Sequence, residues 1–130
     1  MIEERERMLQ VGKSYTRGEI HRILGGGVMD FLPHQDGQVV CGCFKKETNP
    51  NAPDIVLPGR GSGIQHWAEV FRAQTNPIPV FIKRVVNEWE YVGDYRVDRW
   101  TDEQSEIAKY SAGTNRNDIT SVLFLKRHDV

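Results

Sequence analysis

Residues 77–100 constrain the fold of this 130-residue chain more than any other stretch. They begin with a run of β-branched and aromatic residues that contains one basic pair, and a second run follows Asn87-Glu88. In the second run, large and charged residues alternate with period two, which is typical of a half-buried strand. A glycine inside such a row often marks a bulge or a bend. The two runs predict a β-hairpin with one face formed by Trp89, Tyr91, Gly93, Tyr95 and Val97.

Helices and further strands are predicted before and after this hairpin. A capping box, Thr16 with Glu19, starts a helix that ends at Gly25-Gly26-Gly27. Helices are also predicted over residues 63–74 and 101–110, and strands over residues 38–46, 55–57 and 119–127. Strands outnumber helices and hairpin strands are adjacent. The sequence therefore predicts an α+β fold, a curved, mostly antiparallel sheet or a small β-barrel with flanking helices.

The length of the chain predicts a single domain over residues 1–130, with a charged lead-in segment at 1–14 and a globular core at 15–130. The 17 Lys and Arg residues nearly balance the 18 Asp and Glu residues. This balance argues against a protein that coats nucleic acid by charge alone, but it permits a site-specific binder. No apolar run reaches transmembrane length and the N-terminus is too charged for a signal peptide. A cytoplasmic protein, or a nuclear one in a eukaryote, with no membrane partner is expected.

Both cysteines belong to one short motif, Cys41-Gly42-Cys43. Residues two apart on a strand share a face, and a disulfide between them would close a strained ring, so two buried free thiols are predicted. A redox pair or half of a metal site is the alternative. A zinc site would need further ligands, and the four histidines show no ligand spacing. No metal and no cofactor are therefore predicted.

A glycine-rich loop with one cation, residues 58–63, precedes the second predicted helix. Glycines in such a loop can adopt positive φ and let the backbone approach a ligand, and backbone amides can bind phosphate. The alternative is a loop that simply needs unusual dihedral angles. Gln65 and His66, at the start of the helix, are placed to meet a ligand, whereas Trp67 is predicted to belong to the core.

Four motifs within residues 55–127 together resemble the SRA (SET- and RING-associated, or YDG) family, whose domains read modified cytosine in DNA. The family has a glycine-rich element before a helix, and here it is Leu57-Pro58-Gly59-Arg60-Gly61-Ser62-Gly63. The family then has a Pro-Val-x-Val-Ile-Arg-like strand, a Tyr-x-Tyr-Asp-Gly-x-Tyr-x-Val strand and a strand ending Phe-x-Leu-x-Arg. These match residues 79–84, 89–97 and 123–127. Val92 replaces the Asp of the YDG triplet, and Leu57-Pro58 replaces a Tyr-Thr pair that helps to line the family's base pocket.

The resemblance implies an SRA/PUA-like fold and a module that reads 5-methylcytosine or 5-hydroxymethylcytosine in duplex DNA by base flipping. It also implies the recognition part of a modification-dependent restriction system, with a nuclease in another domain or subunit. The implied base pocket consists of Phe44, Asp54, Leu57 and Tyr91. The residues expected to contact the DNA backbone or to fill the vacated stack are Arg60, Ser62, Gln65, His66, Lys83 and Arg84. Strand alternation directs Lys83 and Arg84 to opposite faces, so only one of them can face the duplex.

Two other functions are compatible with the sequence: a protein–protein interaction module and a PUA-like RNA-binding domain. An enzyme acting on nucleotides or ADP-ribose-like ligands has less support, because no nucleophile–base pair and no nuclease motif can be placed in the sequence. The chain is therefore predicted to be non-catalytic.

Overall fold

A long antiparallel hairpin runs through the computed structural model, which describes residues 8–128. Residues 1–7 of the predicted lead-in segment and residues 129–130 lie outside the described part. The helices are α1 (Arg17–Leu24), α2 (Ser62–Ala73) and α3 (Gln104–Ser111). The strands are β1 (Ser14–Tyr15), β2 (His34–Gln35), β3 (Gln38–Val39), β4 (Gly42–Phe44), β5 (Ile55–Val56), β6 (Ile78–Val85), β7 (Glu88–Thr101) and β8 (Val122–Arg127). The predicted hairpin is the pair β6–β7.

The main sheet has the strand order β4-β6-β7-β8-β5, and β1 adds to β7 outside this path. The pair β4–β6 is parallel, while the other pairs are antiparallel. Over residues 8–128 the sheet does not close into a barrel, because the end strands β4 and β5 each pair with one strand and not with each other. The α+β fold is confirmed, and of the two forms expected, the open sheet is observed. Asp36 and Gly37, both at positive φ, connect β2 and β3 in a separate two-stranded ribbon.

A β-bulge in β7 corrects the predicted aromatic face. Val80 pairs with Gly93 and Phe81 pairs with Tyr91, so Val92 is the extra residue. The extra residue reverses the alternation of the side chains. Trp89 and Tyr91 therefore contact one hydrophobic cluster, whereas Tyr95 belongs to another. The single row of aromatic side chains expected from the sequence was wrong, because it is divided between the two faces of the strand.

Two hydrophobic clusters hold the hairpin from opposite sides. The first, here called the central core, packs α2 against one face of β6 and β7 and includes Phe71 and Val80. The second, here called the α1 core, packs α1 against the opposite face, where the Phe81 and Tyr15 rings meet with centroids 6.0 Å apart. Fully burying one such side chain contributes about 1.5–3 kcal/mol, so each cluster stabilises the hairpin substantially.

Both cysteines are buried free thiols in the α1 core, as predicted. The hydrogen bond with the Cys43 thiol and burial together raise the pKa of Cys41 well above its ordinary value. A thiol in this state is protonated at neutral pH and unreactive.

The first helix is set by local sequence. The Glu19 backbone N–H donates to Thr16 Oγ1 at 3.1 Å, and the Thr16 backbone N–H donates to Glu19 Oε1 at 2.9 Å, so the predicted capping box is confirmed. The helix ends at Gly25, which has a φ of 84°. Over residues 8–128, no helix is long and apolar enough to cross a membrane.

We expect Gly93→Ala to lower the free energy of unfolding by about 1–3 kcal/mol, because an L side chain is strained at positive φ. Gly93 has a φ of 126°, and a Cβ atom there would lie 2.8 Å from Arg127 Nε. Urea denaturation measures the change. Gly63→Ala is the matched control, since a Cβ atom at Gly63 has no neighbour within 4 Å. Equal stability of the two variants would contradict this account of the bulge.

Candidate functional site

A cavity of about 580 Å³, here called the main cavity, opens beside the N-terminal half of α2. Its walls come from five separate parts of the chain. They are the loop after α1 with the start of β2, the loops on either side of β5, α2 itself, and the loop between α3 and β8. Its volume is within the range of small-ligand sites.

Aromatic rings form one wall of the main cavity. The His34 and Trp67 rings are stacked, with centroids 3.6 Å apart and planes inclined by 12°. Trp67 reaches the cavity because it follows Gly63 and Ile64, which also line the cavity, by four and three residues and so shares their face of α2. His34 is brought there by the β2–β3 ribbon, and both residues line the cavity.

Asn49 holds two of the cavity walls together. This buried side chain accepts a hydrogen bond from the Leu57 backbone N–H at 2.7 Å through Oδ1. Its Nδ2 donates to Thr48 Oγ1 at 3.3 Å. The side chain therefore supplies a partner for a buried backbone group that belongs to no strand pair.

Arg116 joins the loop before β8 to the same walls. Its Nη1 donates to the backbone oxygens of Thr48 and Leu57, both at 2.9 Å. Its Nε and Nη2 donate to the Asp118 carboxylate at 3.0 and 3.3 Å. This bidentate pair holds the pKa of Asp118 below its ordinary value. Asp118 therefore presents a carboxylate to the cavity at neutral pH.

Gly59 is required by close approach rather than by its backbone angles. A Cβ atom there would collide with Asp118 Oδ2. The glycines at positive φ are elsewhere in the chain, and those of residues 58–63 are not among them. The expectation that the glycines of this loop adopt positive φ was wrong. Gly59 is needed instead because a side chain there would collide with the Arg116–Asp118 pair.

The four residues implied for a base pocket are dispersed. Leu57 lines the main cavity. Phe44 is fully buried in the central core, with its ring 6.2 Å from that of Phe31. Asp54 is exposed, and its backbone oxygen accepts from the Leu125 N–H. Tyr91 lies at a different, smaller cavity and donates its hydroxyl hydrogen bond to Asp94.

The residues implied for DNA contacts form two groups. Arg60, Ser62, Gln65 and His66 are exposed at the start of α2, where Gln65 Nε2 donates to the Arg60 backbone oxygen at 2.7 Å. On β6, Lys83 lines a second cavity, whereas Arg84 forms an ion pair with Glu90 at 2.8 Å.

Sequence reasoning missed His34, Arg116 and Met29, and it assigned Trp67 to the core alone. Met29 is 90% exposed at the rim of the main cavity, and the apolar pair Val28-Met29 directly after three glycines was the available signal in the sequence. No local pattern marks Arg116, because its partner Leu57 lies 59 residues away. Over residues 8–128, no three His, Cys, Asp or Glu side chains are grouped as metal ligands.

A sequence model described as "Domain of unknown function (DUF6697)" matches residues 14–116. The chain belongs to this family. No curated protein matches it by sequence. Among solved structures, it is similar to the SUVH5 SRA domain in complex with hemi-methylated CG DNA, with a TM-score of 0.66 and 14% identity. A second SUVH5 SRA structure, with methylated CHH DNA, has a TM-score of 0.57 and 15% identity.

Both comparisons cover 94% of this chain and 90% of the SUVH5 chain. At these identities the likeness establishes the fold. The SRA-like fold expected from the sequence motifs of this DUF6697 domain is thereby confirmed.

We expect Asn49→Ala to lower the free energy of unfolding by about 1–3 kcal/mol, because it leaves the buried Leu57 N–H without a partner. Thermal or urea denaturation measures the change. Asn51→Ala is the control, because Asn51 is exposed and the substitution keeps the backbone oxygen that accepts from Asp54 and Ile55. Equal stability of the two variants would contradict the role given to Asn49.

We expect NMR titration of the Asp118 carboxyl to give a pKa below the ordinary value for aspartate, because Arg116 binds the charged carboxylate. A lowered folded-state pKa adds stability above the unfolded pKa, and this stability is lost as pH falls through the folded-state pKa. Arg116→Gln should raise the pKa of Asp118, while Arg22→Gln, a change at an exposed position of α1, should leave it unchanged. An unaltered Asp118 titration in Arg116→Gln would refute the pairing.

Proposed function

We propose that this domain binds duplex DNA and reads a methylated cytosine that is turned out of the helix into the main cavity. The observation that carries the proposal is the stacked His34–Trp67 wall and the Asp118 carboxylate within one cavity. The solved structures of similar fold are SRA domains in complexes with methylated DNA, which supports the same class of ligand here.

The chemistry of an extruded cytosine matches the lining of the main cavity. The base needs an aromatic surface for stacking, an acceptor for its N4 amine and space for its C5 substituent. His34 and Trp67 supply the stacking surface, Asp118 supplies a carboxylate acceptor, and Leu57 with Ile64 supplies apolar surface for a methyl group.

Met29 is suited to occupy the space that the base leaves. Turning a base out of the duplex costs roughly a few kcal/mol, and proteins that unstack DNA often insert an apolar side chain. Met29 follows Val28 in the loop after α1, and both side chains are exposed. Burying them in the base stack would recover apolar surface that water now covers.

A reader of this kind needs no catalytic group of its own. It fits the recognition part of a modification-dependent restriction system, in which a nuclease domain or subunit would cut the DNA. RNA binding and protein–protein interaction are the competing functions that the test below separates.

We expect a duplex with one 5-methylcytosine or 5-hydroxymethylcytosine to bind roughly tenfold or more tightly than the unmodified duplex at fixed salt. Fluorescence anisotropy measures the affinities. Trp67→Ala and Asp118→Asn should reduce this preference. Trp100→Ala is the matched control. Trp100 lines neither the main cavity nor the second cavity at Lys83, and it packs on Arg72.

Equal affinity for the modified and unmodified duplexes would refute the proposed reading of modified cytosine. Stronger competition by single-stranded RNA than by duplex DNA would favour the RNA-binding function instead. Absence of any salt-dependent binding to either nucleic acid would favour a protein–protein interaction module.

A further inference from the structure

We infer that a second cavity, beside the main one, binds a phosphate group of the DNA backbone next to the extruded nucleotide. This inference rests on the proposed function. The second cavity, here called the cationic cavity, has a volume of about 330 Å³, and its lining includes Arg17, Lys45, Lys83 and Trp89.

Arg17 is held in place at this cavity by several contacts. Its Nη2 donates to the backbone oxygens of Asp30 and Gly27, at 2.9 and 3.3 Å. Its guanidinium carbon lies 5.0 Å from the centre of the Trp89 ring. Its Nε is buried and has no hydrogen-bond partner among residues 8–128. Held by these contacts, the guanidinium adds a fixed positive charge to the lining of the cavity.

Two lysines add to this charge. Lys83 Nζ lies 6.0 Å from the centre of the same Trp89 ring, and Lys45 is exposed at the cavity. Within the described residues, neither lysine forms a salt bridge. Three cations face one carboxylate, that of Asp30, among the lining residues. The excess positive charge favours an anionic ligand.

The cationic cavity lies next to the main cavity, and this position favours a phosphate of the DNA backbone as its ligand. The two cavities share Met29, Asp30, Phe31, Thr48 and Asn49 as lining residues. A nucleotide turned out of a duplex keeps its base and its flanking phosphates close together. Two adjacent cavities, one aromatic and one cationic, match these two parts of one nucleotide.

The first test measures how the affinity for DNA depends on salt. Lys45→Gln combined with Lys83→Gln should reduce the slope of log K against log[salt] by about 0.9 for one lost phosphate contact. Arg17 is left intact because its hydrogen bonds hold the loop after α1. The control combines Lys109→Gln with Lys126→Gln, which removes the same charge from residues that line neither cavity. Equal slopes for the two double variants would overturn the inference.

The second test identifies the phosphate. Each phosphate beside the modified cytosine is replaced in turn by an uncharged methylphosphonate. Replacement at one position should weaken binding to the wild-type domain. The same replacement should have little effect on the Lys45→Gln/Lys83→Gln variant, because this variant has already lost its contact with that phosphate. If the methylphosphonate replacement and the two lysine substitutions weaken binding additively at every position, the assignment to the DNA backbone is overturned.

The third test works without DNA and therefore separates this inference from the proposed function. Inorganic phosphate should shift the indole N–H resonance of Trp89, while Trp67 in the main cavity and Trp100 serve as internal controls. If phosphate shifts the Trp89 resonance but no methylphosphonate position depends on the two lysines, the cavity binds free phosphate and the DNA assignment is overturned. If one methylphosphonate position depends on the two lysines but the domain binds modified and unmodified duplexes equally, the proposed function is refuted and the phosphate site is retained.

Discussion

The bulge at Val92 and Gly93 is the constraint on which the rest of the structure depends. It divides residues of β7 that alternate regularly in the sequence between two cores on opposite faces of the sheet. Trp89 and Tyr91 pack towards α1, and Tyr95 packs towards α2. The helices α1 and α2 are thereby fixed on the hairpin, and the loop after α1 and the loop before α2 form walls of the main cavity.

Side-chain hydrogen bonds then give these loops a defined shape. Asn49 and Arg116, which lie 8 and 59 residues from Leu57 in the sequence, both bind its backbone. Irregular loops need such side-chain partners, because their buried backbone groups cannot pair within a sheet. Arg116 also holds the Asp118 carboxylate at the main cavity, while residues of the loop after α1 line both that cavity and the cationic one.

Much of the fold could be predicted from local patterns. The capping box at Thr16 and the helix predicted over residues 63–74 each depend on neighbouring residues, and the structure has both, the second as Ser62–Ala73. The aromatic face of β7 was predicted incorrectly because one extra residue reverses the alternation, and period-two reasoning assumes that no residue is extra. Of the residues implied for the base pocket, Leu57 lines the main cavity.

The sequence by itself determined the hairpin, the start and end of α1, and the ordered motifs that indicate the SRA-like fold. These follow from interactions between residues close in the chain. The tertiary structure alone decided that His34 stacks on Trp67, that Arg116 reaches Leu57, and that Arg17 and Lys83 approach one Trp89 ring. Most of these contacts join residues tens of positions apart, so they exist only after the sheet has brought their segments together.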